Sequence, residues 1–103
     1  MESTNRDPIT RVDFEIFGKV QRVNFRKYTQ SKAKSLNLRG WVKNTSAGTV
    51  VGSMEGRSRD VDCMMEWLRT TGSPKSEIVK ADFKNVKKLD KHSFSSSAFI
   101  IKK

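Results

Sequence analysis

Acidic residues are missing from a long central part of this sequence. No Asp or Glu occurs from Ile16 to Met54. The whole chain carries 21 basic and 11 acidic residues, for a net charge of +10. A field of one sign attracts anions and speeds their arrival, so we expect an anionic ligand. The cations within the acid-free stretch are Lys19, Arg22, Arg26, Lys27, Lys32, Lys34, Arg39 and Lys43.

Other shortages narrow the class of protein. A single cysteine, Cys63, cannot form an internal disulfide, which favours a reducing, cytoplasmic location. There is no apolar run of 18 residues, so we predict no transmembrane helix and no membrane partner. The first ten residues lack the apolar region of a signal peptide. The one histidine, His92, stands in a polar late segment, so a histidine general base is not expected.

The chain length suits one domain. With 103 residues there is little room for a second core. We predict a flexible N-terminal arm over residues 1–10 and a single folded domain over 11–103. Apolar residues are only 35% of the chain, but they are periodic, which argues against disorder.

The first half of the chain alternates strand and helix signals. Val12–Phe17 alternates apolar and polar residues, as a half-buried strand does. Apolar residues at helical spacing then predict a helix from Phe25, which Asn37 can end in a left-handed conformation. The turn sequence "TSAG" joins two further strands, Arg39–Asn44 and Thr49–Glu55.

The second half predicts a helix and two more strands. Ser58 is a candidate N-cap for a helix that "GSP" ends at Gly72. Its apolar face consists of Val61, Met64, Met65 and Leu68. Strands near Val79–Val86 and Ala98–Lys102 follow. The predicted class is α+β, a ferredoxin-like βαββαβ sandwich with an antiparallel sheet and two helices on one face.

This topology predicts an anion site at one edge of the sheet. The first and second strands run parallel with the third between them, so their carboxyl ends lie roughly 10 Å apart at the same edge. The loop from Gly18 to Phe25 leaves one end, and Asn44 closes the other. Loop amides and the first helical N–H groups form an anion nest, and the guanidinium of Arg26 can grip two phosphate oxygens. An exposed helix position for Arg26 and a turn role for Asn44 are the alternatives.

Two motifs in these segments resemble those of a known family. "IFGKVQRVNFR", Ile16 to Arg26, is similar to the phosphate loop G-x-V-Q-G-V-x-F-R of the acylphosphatases. "GWVKNTSAGTVVGSMEG", Gly40 to Gly56, matches their second signature, G-W-V-x-N-x3-G-x-V-x5-G, at every fixed position. The similarity covers nearly all of the chain after the first ten residues.

The resemblance implies a reaction and a set of site residues. It implies hydrolysis of acyl phosphates to carboxylate and inorganic phosphate by a monomer that uses no metal and no cofactor. Arg26 corresponds to the phosphate-binding arginine and Asn44 to the asparagine that positions the attacking water. Gly18 and Thr45 correspond to supporting positions. The substrate-binding cradle corresponds to Gln21, Arg22, Val23, Asn24 and Phe25.

Arg22 departs from the family pattern, which has glycine at this position. Glycine tolerates a positive φ and lets the backbone approach a phosphate closely. An arginine there predicts a strained loop and adds one cation beside the site.

Three other interpretations of the sequence compete with that of an acyl phosphate hydrolase. Cys63 and Arg69 have the C-x5-R spacing of cysteine phosphatases, but the residues between them, "MMEWL", form an amphipathic helix, so we expect coincidence. A basic ferredoxin-like sheet is also typical of RNA-recognition domains. The third strand, "TVVGSMEG", has no aromatic residue on which a base could stack, so nucleic acid is not the expected partner. The third interpretation is a pseudoenzyme that binds phosphorylated ligands.

Overall fold

A computed structural model describes residues 8–102 of the chain. Within this range the elements follow the predicted order, including the short last strand that was predicted near Ala98–Lys102. They are β1 (Ile9–Lys19), α1 (Phe25–Ser35), β2 (Arg39–Asn44), β3 (Val50–Arg57), α2 (Ser58–Thr70), β4 (Glu77–Leu89) and β5 (Phe99–Ile101).

The five strands form one mixed sheet in the order β4-β1-β3-β2-β5. β3 pairs antiparallel with both β1 and β2, so those two strands are parallel and end at the same edge, as predicted. The predicted antiparallel ferredoxin-like sheet is confirmed for β4, β1, β3 and β2, and β5 makes the sheet mixed because it pairs parallel with β2. A chain that enters the sheet after a long loop is free to pair in either direction, and local sequence does not decide which.

Both helices pack on the sheet around one core. Val12, Phe14 and Ile16 alternate with more exposed residues along β1 and are almost completely buried. The predicted apolar face of α2 joins this core through Val61, Met64 and Leu68. The helices meet where Phe25 of α1 packs against Trp67 of α2, with ring centroids 6.0 Å apart.

Several local predictions can be compared directly with the structure. Asn37 has a φ of 57° just after α1, which confirms the left-handed helix end. Gly52 packs against Phe14 so closely that an added Cβ would lie 2.4 Å from its ring. The N-cap prediction for Ser58 is wrong, because Arg57 occupies that position and Ser58 is the first residue of α2.

The predicted N-terminal arm lies mostly outside the described residues. β1 begins at Ile9, and Thr10 is buried between β3 and β4, so residues 9 and 10 belong to the sheet. In the described range no helix has the length and apolar character needed to cross a membrane.

Candidate active site

A cavity of about 160 Å³ opens between the loop after β1 and the end of β2. It contains five of the nine predicted site residues, namely Arg22, Asn24, Phe25, Arg26 and Asn44. The other lining residues are Val20, Lys27 and Ile101. No acidic side chain lines this cavity. Its charge therefore suits an anion.

The loop before α1 has the backbone conformation of an anion nest. Arg22 and Asn24 both have left-handed conformations, with φ values of 63° and 57°, and Val23 between them lies outside that region. Such alternation turns successive N–H groups toward one point. This confirms the positive φ that the glycine of the family pattern suggested for position 22.

The start of α1 leaves its own donors available. Its first intrahelical bond runs from Tyr28 N to Asn24 O, so the preceding N–H groups have no helical partner. No side chain caps this end, and no acidic residue occupies the first turn. The positive end of the helix dipole therefore points at the cavity without a compensating charge from the helix itself.

Arg26 lies in the first turn of α1, and its side chain is hydrogen-bonded to the backbone of Lys102. Its Nη1 donates to the carbonyl oxygen of Lys102 at 3.4 Å, and Lys102 N donates to Val42 O at 2.8 Å. Gln30, one turn further along α1, donates to Phe99 O at 2.9 Å. The residue after β5 thus holds the guanidinium of Arg26 beside the cavity.

Asn44 is the last residue of β2, where it pairs with Val50. Its Oδ1 is buried and has no hydrogen-bond partner in the described part of the chain. A buried acceptor without a partner costs about 1–3 kcal/mol. An acceptor at the wall of an anion cavity is suited to hold a water molecule beside the bound anion.

Gln21 and Thr45 support the site. Nε2 of Gln21 donates to the carbonyl oxygens of Thr45, at 2.9 Å, and Thr49, at 2.8 Å. Oγ1 of Thr45 accepts from the backbone N–H groups of Ala47 and Thr49, both at 3.2 Å. These bonds tie the loop after β1 to the turn after β2. The side chain of Gln21 points to the turn, and Gln21 does not line the cavity. Substrate binding by its backbone amide stays a prediction.

Gly18 and Val23 also lie outside the cavity. Gly18 has a φ of 126°, and a Cβ there would lie 2.0 Å from Glu77 O. Its role is to let β1 approach β4 at the register shift that precedes the loop. Val23 packs against the core and holds the loop to the protein body.

Sequence reasoning missed five residues at or near the site, and one of them is Val20, which lines the cavity. Thr49 braces the turn by donating to Glu15 Oε2 at 2.7 Å. Lys27 was noted as part of the basic stretch, but not as a lining residue. Ile101 and the Lys102 carbonyl reach the site only through the pairing of β5 with β2, for which the sequence carries no local signal.

A buried carboxylate lies at the opposite end of β3. Burial raises the pKa of Glu55, but hydrogen bonds from Ser93 Oγ, Ser93 N, Phe94 N and His92 outweigh it and leave the pKa below its usual value. This cluster fastens the β4–β5 loop onto the sheet, far along β3 from Asn44. Among residues 8–102, no three His, Cys, Asp or Glu side chains are placed to hold a metal ion.

The rival phosphatase motif does not form a site. Cys63 and Arg69 both lie within α2, so the five residues between them are helical and cannot loop around a phosphate. Arg69 instead pairs with Glu66 at 3.4 Å and lies over the ring of Phe83. Coincidence, as expected, accounts for the spacing.

Comparison with known proteins agrees with both motifs. The acylphosphatase family model matches residues 12–96. Acylphosphatase-1 of Xenopus tropicalis is 53% identical over 92 residues, which cover 86% of this chain and 93% of the relative. Acylphosphatase-1 of Homo sapiens is 56% identical over 84 residues, covering 82% and 85%. The crystal structure of acylphosphatase from Bacillus subtilis superposes with a TM-score of 0.79 at 28% identity, covering 91% of this chain and 99% of that one. The chain belongs to the acylphosphatase family of hydrolases.

Proposed function

We propose that this enzyme hydrolyses the carboxyl–phosphate bond of small acyl phosphates, with Arg26 and loop amides binding the phosphoryl group and Asn44 orienting the attacking water. The observation that carries this proposal is the buried, unpartnered Oδ1 of Asn44 in the same acid-free cavity as Arg26. One wall of that cavity supplies positive charge and N–H donors, and the other supplies a single acceptor.

The proposed chemistry needs few groups. Water attacks phosphorus and gives up a proton to a phosphoryl oxygen of the substrate, the bond from phosphorus to the acyl oxygen breaks, and a carboxylate leaves with the electron pair. Carboxylate is a good leaving group, so the protein need only align the water and stabilise the charge on the phosphoryl oxygens. Arg26, the N–H groups of the loop and Asn44 suffice for this, with no metal and no cofactor.

We infer further that the enzyme acts as a monomer in the cytoplasm. The resemblance to the family implies a monomer, and Cys63 is free and exposed, which suits a reducing compartment. Gel filtration at assay concentration and localisation of the tagged protein test these two points.

The mechanism is tested by two substitutions with different expected effects. Asn44→Ala should lower kcat for benzoyl phosphate by on the order of 10²- to 10³-fold, because one preorganised contact to the transition state is lost. It should leave inhibition by inorganic phosphate intact. Arg26→Ala should lose both turnover and phosphate inhibition.

The control is Lys34→Ala, which removes an exposed cationic side chain from α1 that lies outside the cavity lining. All three variants are assayed with excess chelator. Loss of phosphate inhibition in Asn44→Ala with retention in Arg26→Ala would reverse the two roles. Activity that disappears with chelator and returns with Mg²⁺ would refute the metal-free mechanism.

A further inference from the structure

We propose that the chain has a second ligand site, at the other end of β2 from the candidate active site, which binds a phosphate monoester of a sugar or of a similar polyhydroxy compound. The site is a cavity of about 500 Å³, hereafter the Arg39 cavity. It shares no lining residue with the cavity at Arg26, so this inference does not depend on the proposed reaction. Its lining residues are Asn37, Arg39, Arg57, Asp60, His92 and Ser97.

Three basic side chains reach the Arg39 cavity from three separate segments. Arg39 is the first residue of β2, Arg57 is the last residue of β3, and His92 lies in the β4–β5 loop. Antiparallel pairing of Arg39 with Glu55 brings the start of β2 next to the end of β3. Asp60 is the single acidic residue in the lining. Basic groups therefore outnumber acidic ones, which suits an anionic ligand.

The guanidinium of Arg39 is fixed in place by the protein. Its Nη1 donates to the carbonyl oxygen of Phe94 at 2.9 Å, and its side chain is partly buried. Within residues 8–102, the other N–H groups of Arg39 have no hydrogen-bond partner. A fixed guanidinium with unused N–H groups can bind two oxygen atoms of one phosphate group.

The imidazole of His92 is oriented by a buried carboxylate. Its Nδ1 lies 3.0 Å from Oε1 of Glu55, whose side chain is completely buried. The lowered pKa of Glu55 keeps this carboxylate ionised at neutral pH, so it only accepts hydrogen bonds and Nδ1 carries a proton. The other ring nitrogen, Nε2, has no hydrogen-bond partner in the described part of the chain. Nε2 is therefore available to a ligand.

An available Nε2 favours a phosphate monoester over other anions. Such an ester loses its second proton at about pH 6, in the range where imidazole also titrates. A protonated Nε2 donates to the dianion, and an unprotonated Nε2 accepts from the P–OH group of the monoanion. Sulfate esters and carboxylates carry no proton at neutral pH, so they can bond only to the protonated imidazole.

The size and polarity of the Arg39 cavity indicate the organic half of the ligand. Its volume of about 500 Å³ exceeds the 160 Å³ or so of the cavity at Arg26, which leaves room beyond a phosphate group. All six lining side chains are polar or charged. An apolar group would find no apolar side chain there, whereas hydroxyl groups can bond to Asn37, Ser97 and Asp60. A phosphorylated sugar has both the anion and the hydroxyl groups.

Binding can be observed at His92 itself, because it is the only histidine of the chain. The probe is glucose 6-phosphate, titrated into the unaltered enzyme and into Arg26→Ala while NMR follows the Cε1–H signal of the imidazole. We expect a saturable shift with the same Kd in both proteins, because Arg26 lies in the other cavity. Glucose 6-sulfate should bind about twofold to tenfold more weakly, through loss of one hydrogen bond. Absence of a saturable shift, or its loss in Arg26→Ala, would overturn the site.

Two matched arginine variants locate the bound phosphate group. Arg39→Gln should weaken the binding of glucose 6-phosphate by about tenfold, because a hydrogen bond to a charged group is lost. Arg69→Gln is the control, since Arg69 pairs with Glu66 on α2 and lies outside the Arg39 cavity. It should leave Kd unchanged. Equal weakening in both variants would show that net charge alone attracts the ligand and would overturn the site.

A third variant distinguishes recognition from damage to the fold. Asp60→Asn removes the one negative charge of the lining, so it should tighten the binding of inorganic phosphate by about twofold to fivefold. Damage to the cavity would weaken binding instead. This titration is made in the Arg26→Ala background and followed at His92, so that the other cavity does not contribute. Weaker binding of inorganic phosphate by Asp60→Asn would overturn the assignment of the Arg39 cavity to a phosphate group.

Discussion

At Arg22, unfavourable backbone strain is opposed by favourable electrostatic attraction of an anion. A left-handed φ costs a residue with a side chain roughly 1–2 kcal/mol compared with glycine. Arg22 bears this cost at a φ of 63° beside the cavity proposed to bind the phosphate anion. Its cation helps to attract that anion, but at an exposed position the attraction is modest and screened by salt.

Replacing Arg22 with glycine should therefore help turnover of neutral acyl phosphates at physiological ionic strength. We expect Arg22→Gly to raise kcat/KM for benzoyl phosphate and to raise thermal stability, because the loop is relieved of strain. Its advantage should shrink at low salt, where the lost cation matters more. The measurement is kcat/KM for both proteins across a salt series, alongside thermal unfolding. A glycine variant that is slower at every salt concentration would make Arg22 a working phosphate ligand.

At the scale of elements, the site depends on contacts between segments that are distant in sequence. Gln21 ties the loop after β1 to the turn after β2, and β5 holds Arg26 through the carbonyl of Lys102. The β4–β5 loop that leads into β5 is in turn fastened to β3 by Glu55. The position of Arg26 therefore depends on contacts made by β5, by the turn after β2 and by β3.

Loss of the Glu55 carboxylate should loosen the β4–β5 loop. Glu55→Gln leaves backbone donors of Ser93 and Phe94 facing an amide, so we expect unfolding to become easier by about 1–3 kcal/mol at neutral pH. Because folding lowers the pKa of Glu55, its contribution is present above the unfolded pKa, about 4.3, and is lost as pH falls through the lower folded pKa. Urea unfolding of both proteins across acidic pH measures this.

The control for this prediction is Glu66→Gln, which removes a largely exposed carboxylate paired with Arg69. It should change stability by less than about 1 kcal/mol. A difference between Glu55→Gln and the unaltered protein that stays constant from neutral pH to strong acid would contradict the role given to the charged form of Glu55.

At the scale of the whole molecule, charge surrounds the site over a wide area. The chain has a net charge of +10. Every lining residue of the cavity except Ile101 lies in the acid-free stretch from Ile16 to Met54. A field of this extent acts on a substrate before it is bound. It therefore affects encounter more than the chemical step.

We expect kcat/KM for benzoyl phosphate to fall as ionic strength rises, with a smaller change in kcat. The Debye length falls from about 10 Å at 0.1 M to about 3 Å at 1 M, which removes long-range attraction but not contacts inside the site. Steady-state kinetics in two potassium salts with different anions measures this dependence. Comparison of the two salts separates screening by ionic strength from competition between the salt anion and the substrate. A kcat that falls in parallel with kcat/KM would show that salt acts on the bound state instead.

Much of the architecture could be read from local patterns in the sequence. Alternation at Val12, Phe14 and Ile16 predicted β1, because a strand with one buried face must alternate. The loop and Asn44 were placed at the same edge because β3 lies between two strands that run parallel to each other. The positive φ at Arg22 followed from the glycine expected there. Alternation is a property of one short segment, whereas the shared edge followed from the predicted strand topology and the positive φ from the family pattern.

The remainder was decided only by the tertiary structure. The sequence of β5 contains nothing that specifies parallel pairing with β2, yet that pairing brings Ile101 and the Lys102 carbonyl to the site. The direction of the Gln21 side chain likewise depends on two carbonyl groups more than 20 residues away. Such contacts form because burial and backbone hydrogen bonding must be satisfied across the whole sheet at once, and no local segment contains that condition.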